Sequence, residues 1–142
     1  MGLDCYIQTK DDKAFEHEDI KDVNLCGGMF SGQGNNGSFR GKVYSPLMDH
    51  VLGQEGTWYH EGDEVSSSYE LVRQAEALAQ FLSAYSPGDR IRINIETYEE
   101  EDENGEVKGT YTCDEYSYDE VQDLETLLRV AGENGATLHS WW

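Results

Sequence analysis

Basic residues are scarce in this chain: Lys and Arg number 10 against 29 Asp and Glu, leaving −19 on 142 residues. A field of that sign repels nucleic acid and anionic membranes and attracts basic partners or cations. Direct nucleic-acid binding and membrane association are therefore not expected. Proline occurs twice and cysteine three times. Cys5, Cys26 and Cys113 are odd in number, far apart and form no CxxC pair, which argues against a disulfide framework or a zinc site and for a reducing, cytoplasmic setting. No apolar run is long enough to span a bilayer, and the opening residues lack the hydrophobic stretch of a secretory signal. Tyr6 stands where a myristoylation pattern needs Ser or Thr.

The low hydrophobic share, 37%, and mean hydropathy of −0.70 approach the range of disordered chains. Nine Tyr, four Phe and three Trp argue for a core instead, because each ring can bury about 150–250 Å². The length suits one domain, taken as residues 1–142.

The acids are unevenly spread. Residues 1–48 carry 7 acids and 5 bases, residues 49–89 carry 8 and 1, and residues 90–142 carry 14 and 4.

Two amphipathic helices stand out. In residues 67–85, Leu71, Ala75, Leu78, Leu82 and Tyr85 recur at steps of four and three, widened by Val72 and Ala79. Ser67 and Glu70 spell a capping box at its start, and Pro87-Gly88 marks its end. In the second helix Ser117 and Glu120 form the box, Val121, Leu124, Leu128 and Ala131 the stripe, and Gly132 the expected stop. Asp114, Glu115, Asp119 and Glu120 are explained by this helix, since acids around a first turn favour it.

Between the helices, residues 90–96 alternate with period two, predicting a strand that buries Ile91, Ile93 and Ile95 on one face. Asn104-Gly105 signals a two-residue hairpin turn, which would place Glu103 opposite Glu106, Glu101 opposite Lys108 and Tyr98 opposite Tyr111. Residues 3–9 and 136–142 read as strands, and the Gly-rich stretch 26–44 as a second hairpin turning at Asn36-Gly37. Ser45-Pro46 is expected to open a short helix running to Leu52. Residues 10–25 have no clear period. The expected fold is α+β, an antiparallel sheet with two amphipathic helices on one face.

Three stretches carry residues with chemical potential. Gly32 to Gly37 spells GxGxxG, but strand-like sequence follows it where a dinucleotide site needs a helix, so a turning hairpin explains it better. Glu100, Asp102, Asn104 and Gly105 match the start of a calcium loop, yet Tyr111 stands where a bidentate Glu is required. Trp58, Tyr59, His60 and Glu61, with Gly62, Asp63 and Glu64 after them, bring a histidine, acids and rings together, a candidate pocket that could hold a general base or, with Asp49 and His50, a metal. The plainer reading is a loop packing its rings on the core. No nucleophile motif or metal-binding pattern accompanies it, so no catalytic residue, cofactor or metal is assigned.

The run Glu99, Glu100, Glu101, Asp102 and Glu103 is different, because secondary structure does not call for it and like charges on paired strands cost stability. It is the candidate partner-binding site. A charged tip could also serve only to block edge pairing. The function expected from sequence is a non-catalytic binding or inhibitory module that docks on a basic protein surface. The alternatives are a small enzyme or metal protein using Trp58 to Glu64, and acidity that reflects only adaptation to high salt. Near-balance in residues 1–48 weighs against the last.

Overall fold

The computed structural model describes residues 4–26, 38–58 and 64–141. The elements run β1 (Asp4–Gln8), a 3-10 turn (Glu18–Ile20), β2 (Ser38–Phe39), α1 (Gly41–Leu52), β3 (Glu64–Ser66), α2 (Ser68–Leu82), β4 (Arg90–Glu101), β5 (Val107–Ser117), α3 (Tyr118–Glu133) and β6 (Thr137–Trp141). The α+β architecture is as expected, with the strands divided between two antiparallel sheets. One has four strands in the order β2-β1-β6-β3, and the other is the β4-β5 hairpin alone.

Both capping boxes form. Ser67 Oγ accepts from the Glu70 amide while Glu70 Oε1 accepts from the Ser67 amide, and Ser117 and Glu120 repeat the exchange at α3. Such a cap stabilises a helix by about 1 kcal/mol, so most of the stability of α2 and α3 must come from packing. Leu71, Ala75, Leu78 and Leu82 of α2 and Val121, Leu124, Leu127, Leu128 and Ala131 of α3 are buried together. A fully buried leucine is worth about 1.5–3 kcal/mol.

Gly132 does not stop α3, which continues to Glu133 with Asn134 and Gly135 beyond. Its lack of a side chain serves packing: the two helices run antiparallel, and Gly132 meets the first turns of α2 where no Cβ would fit. Nor does Pro46 open α1. That helix starts at Gly41 and carries Pro46 in its second turn. The backbone hydrogen bond Pro46 cannot make is offset by full burial of Tyr44, Leu47 and Met48.

β1 and β6 pair in register from Asp4 opposite Trp141 to Gln8 opposite Thr137, joining the two ends of the described chain. Cys5, Ile7, Phe39 and Leu138 point from this sheet into the core. Burial pushes the Cys5 thiol up to about 12, with Asp4 adding to the shift. Residues 10–25 contribute Phe15, Ile20, Val23 and Leu25 to the same core. The expected Asn36-Gly37 hairpin and the GxGxxG stretch lie outside the described residues.

Two tyrosine hydroxyls tie separate elements together. The Tyr116 hydroxyl donates to the Val43 carbonyl at 2.6 Å, holding the base of β5 against the start of α1. The Tyr44 hydroxyl accepts from the Cys26 amide at 2.9 Å and donates to Glu120 Oε2 at 3.0 Å. Burial raises the pKa of both phenols, so they stay protonated donors at any physiological pH.

Candidate functional site

The β4-β5 hairpin is buried only at its base. Ile91, Ile93 and Tyr116 enter the core, and from Asn94 to Glu101 every residue of β4 is exposed. The change occurs at a bulge. Ile93 faces Asp114 but Glu96 faces Thr112, so Asn94 and Ile95 together oppose Cys113. Asn94 takes the left-handed conformation at φ 53°, which Asn tolerates better than most residues, and its side-chain Nδ2 donates to Asp114 Oδ2 at 2.9 Å. The extra residue turns Ile95 away from the core, leaving it 59% exposed where simple alternation would bury it.

The turn also departs from expectation. Five residues, 102–106, form it: the Gly105 amide donates to the Asp102 carbonyl at 3.1 Å, the Asp102 amide donates to the Glu106 carbonyl at 2.9 Å, and Gly105 has φ 78°. This is a three-residue connection, a type I turn followed by a left-handed glycine. The register shifts by one accordingly. Glu101 lies opposite Val107, Glu100 opposite Lys108, Tyr98 opposite Thr110 and Thr97 opposite Tyr111, in place of the Glu101–Lys108 and Tyr98–Tyr111 pairs.

Asp102 explains the choice of turn. Its Oδ1 accepts from the amides of Asn104 and Glu106, each at 2.9 Å, an arrangement short polar side chains provide at the first position of a turn. One of the five acids at the tip is therefore structural. Glu99, Glu100, Glu101 and Glu103 are exposed, and among the described residues no carboxylate from Glu96 to Glu106 is in an ion pair. Apart from Lys108 opposite Glu100, the bases of the arm sit at its other end, where Arg90 and Arg92 lie 3.9 and 3.4 Å from Glu115.

Apolar side chains are interleaved with these acids. Besides Tyr69 of α2, the large exposed hydrophobic residues among those described are Ile95, Tyr98, Val107 and Tyr111, all on the hairpin, with Val107 and Tyr111 each 60% exposed. Opposite residues share a face, so Ile95, Thr97, Glu99 and Glu101 of β4 stand with Tyr111, Gly109 and Val107 of β5 on one side. Tyr98, Glu96 and Glu100 stand on the other with Thr112, Thr110 and Lys108. The apolar members were missed from the sequence because the bulge and the turn must be known before either face can be assigned. Val107 and Tyr111 alternating past a turn were the available signal.

Of the candidate pocket, the structure describes Trp58 alone. Trp58 is fully buried against Phe39, with ring centroids 5.3 Å apart. Its indole Nε1 reaches Gln74 Oε1 at 3.4 Å, while Gln74 Nε2 donates to Ser66 Oγ at 3.0 Å, so this polar chain serves the core. Tyr59, His60 and Glu61 lie outside the described residues. Asp49, a possible metal partner, spends both carboxylate oxygens on backbone amides, accepting from Gly56 at 3.1 Å and Thr57 at 2.8 Å. His50 packs edge-on against Phe81. An open groove of about 650 Å³ lies beside the 53–57 turn, lined in part by Glu55, Tyr69 and Arg73, whose guanidinium stands 5.7 Å from the Tyr69 ring centre.

The chain matches no protein-family model, no curated protein and no solved structure. No helix among the described residues is long and apolar enough to cross a membrane, and no group of three or more His, Cys, Asp or Glu among them is arranged to hold a metal ion.

Proposed function

We propose that this protein is a non-catalytic binding module whose β4-β5 arm docks on a basic protein surface. The observation that carries the reading is the exposure, on one projecting hairpin, of unpaired glutamates together with Ile95, Tyr98, Val107 and Tyr111. Exposed aromatic and aliphatic side chains supply contact area, and the surrounding carboxylates select the charge of the partner and speed its approach. A two-stranded ribbon is marginally stable in water by itself, which fits an arm completed by another surface.

The test replaces Glu99, Glu100, Glu101 and Glu103 by Gln and leaves Asp102 to hold the turn. A basic protein captured by the parent at low salt should associate more slowly with this variant. Its affinity for the parent should fall steeply as salt rises. Equal rates and affinities for parent and variant would end the proposal, as would failure to recover any basic partner.

A further inference from the structure

The outer edge of β4 is unpartnered. Among the described residues β4 pairs only with β5, and no strand lies beyond it. The Asp102 amide bonds to the Glu106 carbonyl, so these two residues form a hydrogen-bonded pair. Counting back along the ladder, such pairs alternate with open ones. Glu100 with Lys108, Tyr98 with Thr110 and Glu96 with Thr112 are then bonded across the hairpin. Thr97, Glu99 and Glu101 turn their own N–H and C=O groups outward, a free template of donors and acceptors on exposed backbone.

We propose that this edge accepts an extended basic segment of a partner protein as a third strand. The inference rests on the function proposed above and specifies how the arm binds. Charge decides the occupant. Glu99 and Glu101 flank the edge on one face, and Glu96 and Glu100 on the other. A strand laid along β4 therefore meets carboxylates on both of its own faces, and Lys or Arg opposite them makes the favourable cross-strand pair. Between these acids, Thr97 and the exposed Tyr98 offer places for β-branched or aromatic residues. A second copy of this chain is disfavoured on the same edge, since β4 against β4 sets glutamate against glutamate. Backbone bonds would supply affinity and the alternate side chains specificity, as in other cases of strand addition.

The experiment uses the full chain and a synthetic peptide alternating pairs of lysines with pairs of valines, which sets lysine on both faces of a strand, beside the same peptide N-methylated at every residue. Methylation removes the donors of both edges and leaves charge unchanged. The plain peptide should bind at least about tenfold more tightly than the methylated one. Equal binding of the two would overturn strand addition while leaving an acid-driven docking arm intact, and binding of neither would overturn both. On the protein side, Glu99→Pro removes an outward N–H that the hairpin itself does not use, and Glu99→Gln is its charge-matched control. Glu99→Pro should lose the plain peptide and Glu99→Gln should keep most of the binding. A dimer of the protein alone that Glu99→Pro abolishes would assign the edge to a second copy and overturn the proposal.

Discussion

Gly132 of α3 lies so close to Val72 of α2 that a Cβ placed on it would stand 2.7 Å from Val72 Cγ2, 2.9 Å from the Val72 amide nitrogen and 2.7 Å from the Ser68 carbonyl oxygen. Two of those atoms belong to backbone in the first turns of a capped helix and cannot swing aside.

Replacing Gly132 by Ala would normally favour a helix interior by about 1 kcal/mol. The overlap should reverse that sign. Net destabilisation of about 1–3 kcal/mol is expected by denaturant titration, with the helix pair forced apart. A variant as stable as the parent would show that α2 and α3 separate without cost.

Asp102→Ala removes the acceptor for two turn amides. Hydrogen exchange at the amides of residues 96–112 should report a loss of about 0.5–1.5 kcal/mol in local stability, with little change in global unfolding. Glu103→Gln should leave those amides unchanged. If the two variants behave alike, the turn is held by Asn104 and Gly105 alone.

Asp123 has its pKa raised, first by burial, opposed by the hydrogen bond its Oδ2 accepts from the Asn24 amide, and reinforced by Asp119 and Glu120. A carboxyl whose folded pKa lies above its unfolded one holds protons more tightly in the fold, so its ionisation lowers stability as pH rises through that window. Asp123→Asn, which keeps an acceptor for Asn24, should therefore match or exceed the parent in stability at neutral pH. The difference should vanish as pH falls below the ordinary carboxylate range. A deficit at neutral pH would mean that the charge itself is needed.

Salt should raise the melting temperature. Among the described residues the charge of −19 is opposed by a few ion pairs, most of them exposed and contributing little, and screening strengthens as the Debye length falls from about 30 Å at 0.01 M to about 10 Å at 0.1 M. A flat or falling melting curve over that range would show that self-repulsion is already relieved by the spacing of the acids.

The thiols should differ in reactivity. Cys5 is fully buried with its pKa pushed up to about 12, whereas Cys26 is exposed. In the native protein an alkylating reagent at mildly alkaline pH should label Cys26 and spare Cys5 until the chain unfolds. Equal labelling rates would place the β1 thiol in a region that opens readily.

Residue pattern alone determined α2 and α3, because a capping box and a stripe of period 3.6 are local and agree with each other at Ser67–Leu82 and Ser117–Ala131. It also determined the two terminal strands and the existence of the β4-β5 hairpin. Tertiary structure decided what the special residues do. Gly132 reads as a terminator in one dimension and is a point of close helix approach in three. Asp102 reads as one more tip acid until its carboxylate meets the amides of Asn104 and Glu106. Asn94 reads as the polar side of an alternating strand, yet its bulge sends Ile95 into solvent. In each case the deciding partner is set by backbone geometry or by another element. Trp58 shows the same limit from the other side: only the structure supplies its ring partner Phe39 and the Gln74 oxygen that its indole reaches.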